Sequence, residues 1–266
     1  MHIYNKDIKK KAINYSYLKK RLDLNKKLQN RNFNEWLLKN IEIKKNDKIL
    51  DVGCGDGAQV NEFLKIIGKR GNISCLDLNR ESIEKLKKRI KFDKRVQAIT
   101  SDMNNLDKLI KSSFIQKKYN IVHSSYSLYY SPNRIKVLKT MCRSLFKNGK
   151  AYVFTPCLPH GMVKIAKKFH KIPKLVEDSL KFGNQVLEKE FRKIFWEVQI
   201  NYFQSELTIQ NLKDFKLFYE STTYQNQKKK KKIYNYIQKK ITKEGKITFE
   251  KNGFLISGYD KRNKFF

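Results

Sequence analysis

Asp51, Gly53, Gly55 and Gly57 stand at alternate positions in the run Lys48-Ile49-Leu50-Asp51-Val52-Gly53-Cys54-Gly55-Asp56-Gly57-Ala58. Apolar residues before the glycines and helix formers after them predict a strand, a tight turn and a helix beginning near Ala58. Glycine suits such a turn because it takes backbone conformations closed to other residues and lets a ligand approach the main chain. A second carboxylate, Asp77, ends the next apolar run, 24 positions beyond Gly53. That spacing suits hydrogen bonds to both hydroxyls of an adenosine ribose. Read as Gly53-x-Gly55-x-x-Ala58, the loop fits a dinucleotide fingerprint; read as Asp51-x-Gly53-x-Gly55-x-Gly57, it fits a nucleoside without phosphates. Asp51 decides for the second, since a carboxylate at the loop's mouth repels a pyrophosphate and attracts an ammonium group.

This strand, loop, helix and acid together resemble the class I S-adenosylmethionine-dependent methyltransferases, over about residues 45–156. The resemblance implies S-adenosylmethionine as cofactor. It makes Asp51–Gly57 the glycine motif and Asp77 the ribose-binding acid. Thr100-Ser101-Asp102-Met103 then falls where the family sets an acid against the adenine amino group, with Met103 beside the ring and Leu78 on its face. Taken alone, Asp102 is a turn residue after a third strand; in register with Asp51 and Asp77, the adenine role is favoured.

In open α/β sheets the ligand crevice lies beyond the carboxyl ends of the strands. A fourth strand delivers His123-Ser124-Ser125-Tyr126-Ser127-Leu128-Tyr129-Tyr130 to that edge, and a fifth delivers Phe154-Thr155-Pro156-Cys157. His123 is the candidate base for an acceptor that must lose a proton, its ordinary pKa lying near neutrality. Its alternative role is to hydrogen-bond cofactor or backbone at the strand end. Tyr126, Tyr129 and Tyr130 are candidates for an aromatic wall, in competition with a role as core anchors. Residues 123–130 and Gly245-Lys246-Ile247-Thr248-Phe249 also resemble small-molecule methyltransferases of the histamine N-methyltransferase type. Two other chemistries are disfavoured. The Asn/Asp-Pro-Pro-Tyr/Phe turn of base-amino methylation is replaced by His-Ser-Ser-Tyr, and Cys157 follows strand five with no second cysteine after strand four, so a nucleophilic thiolate is not expected.

The elements that must position these residues show as a change of pattern. Residues 1–46 are polar, with apolar anchors at Tyr15, Leu18, Leu22, Phe33, Trp36, Leu37 and Ile41 at mostly helical spacing, which predicts a helical N-terminal lead-in. From residue 48 short apolar runs alternate with amphipathic segments, as in a β-α-β chain. Strands are predicted at Lys48–Val52, Asn72–Asp77, Arg95–Thr100, Tyr119–His123, Lys150–Thr155 and Trp196–Leu207. Gly245–Tyr259 is predicted as a closing β pair with a turn at Lys251-Asn252-Gly253. The clearest helix is Arg80–Ile90, capped by Asn79. The expected fold is therefore α/β: a Rossmann-like, seven-stranded, mostly parallel sheet flanked by helices, with the last strand antiparallel. The domains expected are a helical cap over 1–46 and a methyltransferase domain over 47–266, with inserts at about 157–195 and 208–244 that cover the cofactor and shape the acceptor pocket.

Composition sets the bounds. The 266 residues include 59 Lys plus Arg against 25 Asp plus Glu, a formal charge of +34. Only Arg21, Arg31, Arg70, Arg80, Arg89, Arg95, Arg134, Arg143, Arg192 and Arg262 are arginines. Phosphate and base readers favour arginine's planar fork, so scattered lysine is read as solvated helix faces, the run Lys228–Lys232 included. A nucleic-acid partner is an alternative that is not favoured. No run approaches the ~18 apolar residues of a spanning helix, the N-terminus has no signal-peptide core, and the four cysteines form no zinc or disulfide pattern. No metal, no membrane and a cytoplasmic setting are the expectations. The function expected is methyl transfer from S-adenosylmethionine to an oxygen or nitrogen of a small-molecule acceptor. The alternatives are an RNA methyltransferase, a non-catalytic module that binds the cofactor, and, remotely, an NAD-dependent dehydrogenase.

Overall fold

A computed structural model describes residues 14–262. The chain divides into two compact units. One comprises Met1–Asn32, Pro156–Lys181 and Phe203–Gly253; the other comprises Phe33–Thr155, Phe182–Tyr202 and Phe254–Phe266. These boundaries fall elsewhere than the expected division at residue 46.

Eight strands are formed: β1 (Lys48–Val52), β2 (Asn72–Asp77), β3 (Val96–Thr100), β4 (Tyr119–Ser125), β5 (Leu145–His160), β6 (Phe195–Phe203), β7 (Glu206–Ile209) and β8 (Ile247–Lys261). They join in the order β3-β2-β1-β4-β5-β8-β6, with β7 paired to β8. β1 runs parallel to β2 and β4, β2 to β3, and β4 to β5. β7 is antiparallel to β8. Strand order reverses between β1 and β4, the switch point at which such sheets bind ligands.

In the larger unit the centre of the sheet is buried on both faces. Ile49, Leu50 and Val52 of β1 are sealed from solvent, which is why that strand is a continuous apolar run rather than an alternating one. Each such side chain contributes about 1.5–3 kcal/mol by burial. Helix Ala58–Ile66 buries Val60 and Phe63. Helix Arg80–Arg89 buries Ile83 and Leu86, and Asn79 caps it by accepting the Ser82 N–H. The parallel register brings Asp51 level with Cys75 on one side and His123 on the other.

The smaller unit buries Leu24, Met162, Val163, Leu207, Ile209, Phe215, Tyr219, Ile233, Ile237 and Phe249 in a core of its own. Helices Gly161–Lys167, Leu212–Ser221 and Lys230–Glu244 supply most of it. The last of these begins inside the lysine run.

Four expectations change. The lead-in forms helices Tyr15–Leu28 and Phe33–Asn40, one in each unit, and its anchor is Leu24 rather than the exposed Leu22; positions 1–13 lie outside the described residues. β5 extends well beyond the predicted Lys150–Thr155 in both directions. The predicted strand Trp196–Leu207 breaks between Phe203 and Glu206 into β6 and β7, so the sheet has eight strands. The turn at Lys251-Asn252-Gly253 does not form, and 247–261 is one strand. Asn252 works across the strands instead: its Oδ1 accepts the Ser205 N–H and its Nδ2 donates to Pro159 O, while the Lys251 N–H donates to Ser205 O. A ladder already using these groups removes the reason for a turn. No helix among the described residues is long and apolar enough to cross a membrane.

Candidate active site

The glycine loop joins β1 to helix Ala58–Ile66. Gly53, Gly55 and Gly57 all have positive φ, at 80°, 55° and 77°. A Cβ on Gly53 would lie 2.2 Å from Ser127 Oγ, and one on Gly57 would lie 2.5 Å from Leu86 Cγ. Both glycines are thus demanded by backbone conformation and by the protein's own packing, not only by ligand approach. The loop hangs from β2: the N–H groups of Gly53 and Cys54 both donate to Leu76 O.

Asp77 holds the loop from the other side. Its Oδ2 accepts the Gly55 N–H at 2.9 Å and its Oδ1 accepts the Asn79 N–H at 2.8 Å. Burial pushes its carboxyl above the ordinary range; the two N–H groups pull it down, and the charges of Asp51 and Asp56 push it up again. Each oxygen still has a lone pair for another donor.

Asp51 is sealed from solvent. Its Oδ1 accepts from His123 Nδ1 at 2.8 Å, and its Oδ2 meets no donor. A buried carboxylate oxygen without a partner is costly, so the site presents an unmet acceptor beside the glycine turn. An ammonium or sulfonium-bearing ligand has the charge that this acid-lined edge lacks, and in that sense the residues fit S-adenosylmethionine. Asp56, which the sequence did not single out, ties the loop to the following unit of structure through an ion pair with Arg89, whose Nε donates to Asp56 O.

His123 differs from its expected part. The ring is buried, lies edge-on to Phe63, and has both nitrogens engaged, Nδ1 with Asp51 and Nε2 with Ser125 Oγ at 2.8 Å. Because a carboxylate only accepts, Nδ1 carries a proton, and Nε2 shares a hydrogen bond with the serine hydroxyl. Both partners are side chains, rather than the backbone or cofactor of the alternative role. Two further serines close the same turn: Ser124 Oγ and Ser127 Oγ both donate to Val52 O and lie 2.7 Å apart.

Asp102 caps the short turn Met103–Asn105, its Oδ1 taking both the backbone and side-chain nitrogens of Asn104. Its place at the end of β3 is the expected one, although this oxygen is used within the turn. Met103 Cε comes within 3.8 Å of the point where a Gly53 side chain would begin, so the thioether does border the loop. Leu78 is 39% exposed immediately after Asp77, available to pack on a flat ligand.

Tyr126 follows β4 with φ 54°, a conformation that costs a bulky residue energy and marks functional turns. Its ring meets Phe154 at 4.7 Å and Phe33 at 5.3 Å, and Phe33 meets Phe154 at 4.6 Å. Trp36 completes the group at 5.8 Å from Phe154. The sequence brings Phe154 to this edge but marks Phe33 and Trp36 only as apolar anchors of the lead-in, because helix Phe33–Asn40 reaches the edge only through tertiary packing. Tyr129 is buried and stacks near Tyr130, a core role. In the smaller unit the Cys157 thiol is buried and pushed up to about 11 by that burial, which agrees with its reading as a packed, unreactive thiol.

Comparison with known proteins follows the same lines. The family model described as a methyltransferase domain matches residues 43–199, more than half of the chain. A demethylmenaquinone methyltransferase of Lactobacillus johnsonii is 26% identical over 155 residues, covering 54% of this chain and 61% of that protein. The ubiquinone/menaquinone biosynthesis C-methyltransferase UbiE of Francisella philomiragia is 26% identical over 111 residues, 42% of this chain and 43% of its own. The chain thus spans less than two thirds of the length of these curated relatives. Among solved structures, a protein of Bacillus halodurans aligns with a TM-score of 0.60 at 16% identity, covering 86% of this chain and 99% of that one, a likeness of fold. With strand order, glycine loop, paired acids and family match in agreement, the chain belongs to the methyltransferase-domain family, the class I S-adenosylmethionine-dependent methyltransferases.

Proposed function

We propose that this chain transfers a methyl group from S-adenosylmethionine to an oxygen or nitrogen of a small-molecule acceptor. The observation that carries the reading is the glycine turn held between two carboxylates, Asp51 buried with its Oδ2 unmet among the described residues and Asp77 half-buried and gripping the Gly55 N–H. The cofactor supplies an already activated methyl on a sulfonium, so the protein has mainly to hold and align. Asp51 faces the ammonium end, the backbone of Gly53, Gly55 and Gly57 borders the amino-acid chain, and Asp77 takes the ribose hydroxyls. Leu78 and Met103 flank the adenine, and Asp102 faces its amino group. His123 acts through Asp51 as a positioning residue, fixing the carboxylate by its Nδ1–H.

The acceptor side supports a nucleophile that arrives ready to react. His123 is the imidazole at this edge and both its nitrogens are in use, so that imidazole is not free to take a proton from an acceptor. Tyr126, with Phe33 and Trp36, forms the acceptor wall. A carbon acceptor is the second reading, favoured by the UbiE relative, which is named a C-methyltransferase. Feeding the enzyme isotopically labelled methyl donor with a cell extract, and locating the label by mass spectrometry, separates oxygen, nitrogen and carbon products.

Calorimetry with S-adenosylhomocysteine tests the site itself. The wild-type chain is expected to bind, and Asp77→Asn to bind about tenfold or more weakly, the worth of a charge-assisted hydrogen bond. Asp51→Asn keeps an oxygen for His123 while removing the charge, and is expected to weaken binding comparably. No heat from the wild type, or unchanged affinity in both variants, removes the proposal.

A further inference from the structure

The smaller unit contains a group of side chains to which the proposed methyl transfer assigns no part. Arg21 comes from helix Tyr15–Leu28, His160 ends β5, Tyr224 follows helix Leu212–Ser221, and Lys251 lies on β8. Four segments far apart in sequence are brought together. Gly161 is pressed against β8, where a Cβ would lie 2.9 Å from Glu250 N, and Asn252 is strapped to Pro159 O. The rings of His160 and Tyr224 stand perpendicular with centroids 6.3 Å apart. Arg21 uses one guanidinium nitrogen on Ser221 O.

The chemistry of the group is one-sided. Lys251, Arg21 and His160 form no ion pair with any described residue, although ion pairs are plentiful elsewhere in the unit, as between Lys27 and Asp214 or Lys167 and Glu177. The Lys251 ammonium also has no hydrogen-bond acceptor among the described residues; only its backbone N–H and C=O are used. His160 Nδ1 faces the Val163 N–H at a long 3.5 Å, which leaves the ring proton on Nε2 and makes that nitrogen a donor. A half-buried ammonium, a guanidinium with spare N–H groups, an imidazole N–H and a phenol thus stand on neighbouring segments, and none of the three basic groups pairs with a carboxylate among the described residues.

We propose that this cluster is a binding site for a phosphate-type oxyanion, presented by a small ligand. Cations without counter-charge are expensive in a protein interior, and a tetrahedral dianion offers acceptor oxygens on several sides to donors of this kind. The electrostatics agree with the geometry. Burial, then the charge of Arg21, pulls Lys251 down from 10.5 to about 7. Burial, then Lys251, pulls His160 down to about 4. No acid acts on either group.

The proposal stands apart from the methyl-transfer reading, and its test is read apart from it. Thermal unfolding of the full chain is followed near pH 7 in sodium sulfate and in sodium chloride of matched ionic strength, sulfate being the probe. The wild type is expected to gain about 5 °C specific to sulfate at saturation. Lys251→Met is expected to lose at least half of that gain, and Lys251→Gln provides the same reading should the methionine variant fail to fold. Lys228→Met, on the exposed lysine run, is expected to keep it. Full retention of the gain in the Lys251 variants, or an equal loss in Lys228→Met, overturns the site. An equal gain with acetate overturns the ligand class in favour of a carboxylate. Calorimetry with S-adenosylhomocysteine on the same Lys251 variants is expected to be unchanged.

Discussion

Lys251 and Lys261 lie ten residues apart on β8, one in each compact unit, and they solve the problem of a withdrawn ammonium in opposite ways. Lys261 is 2% exposed and donates to Leu145 O at 3.0 Å and Cys142 O at 3.4 Å, at the C-terminal end of helix Arg134–Arg143 and the start of β5. There the negative end of the helix dipole and the two carbonyl oxygens face the ammonium. Lys251 has no such neighbours. The same division separates the two functional regions. Around the glycine loop nearly every polar group is already tied to the protein, and the exception, Asp51 Oδ2, calls for a cation. In the cluster of Arg21, His160, Tyr224 and Lys251, the donors are left open together and call for an anion. Complete local partnering marks structure; a coherent set of missing partners of one sign marks a place for a ligand.

The largest effect expected tests the partnered region. Gly53→Ala forces a side chain into a φ of 80° and to within 2.2 Å of Ser127 Oγ. Left-handed strain and overpacking together cost about 3 kcal/mol, and thermal denaturation should show it. Adding Ser127→Gly to Gly53→Ala removes the clash but not the strain, so it should restore part of the loss. A Gly53→Ala chain as stable as wild type would show that the loop relaxes freely and that its glycines serve only a ligand.

These contrasts also explain what the sequence could and could not disclose. β1, β2 and helix Arg80–Arg89 were legible because their signals are local: a sealed apolar run, a glycine turn, and Asn79 three residues before Ser82. The acids Asp51 and Asp77 were legible as a pair because parallel β-α-β spacing is regular. The burial of His123 was not, since it depends on the β1–β4 register that sets it against a carboxylate 72 positions away. The false turn at Asn252 has the same origin: Asn-Gly is a strong short-range hairpin signal, and only the tertiary pairing with Ser205 and Pro159 overrides it. The cation cluster draws on four distant segments, and no window of the sequence contains more than one of them.

A second expectation sharpens the comparison of the two lysines. Burial, then the charge of Lys118, pulls Lys261 from 10.5 down to about 8, so the folded state holds this proton less tightly than the unfolded chain. Between pH 8 and 10.5 the unfolded state therefore binds more protons, and stability rises with pH. The charged form's penalty is fully present below about 8 and is gone above 10.5. The span is worth about 3 kcal/mol. Denaturant unfolding across that range, wild type minus Lys261→Met, isolates the contribution from the general relief of positive charge. A difference that stays flat with pH would mean that the carbonyls of Cys142 and Leu145 compensate the ammonium fully.

The smallest effect concerns Asn79, which serves the cofactor edge without touching it in the proposed arrangement. Its side chain accepts the Ser82 N–H at 2.7 Å, capping helix Arg80–Arg89, while its own N–H donates to Asp77 Oδ1 at 2.8 Å. Substitution affects only the first of these. Asn79→Ala should therefore cost about 1 kcal/mol of stability, the usual worth of a cap, because the backbone N–H that helps hold Asp77 remains. Asn79→Asp should recover the cap, and the positive end of the helix favours its charge. That charge also sits two residues from Asp77, whose carboxyl burial and the neighbouring acids already push up, so the aspartate variant should hold Asp77 protonated to higher pH. Unfolding measurements on the three chains read the cap. S-adenosylhomocysteine affinity against pH reads the acid, and its dependence should move to higher pH in Asn79→Asp and stay in place in Asn79→Ala. Should alanine move it as far, the polar side chain itself, rather than the N–H of residue 79, would be what poises Asp77.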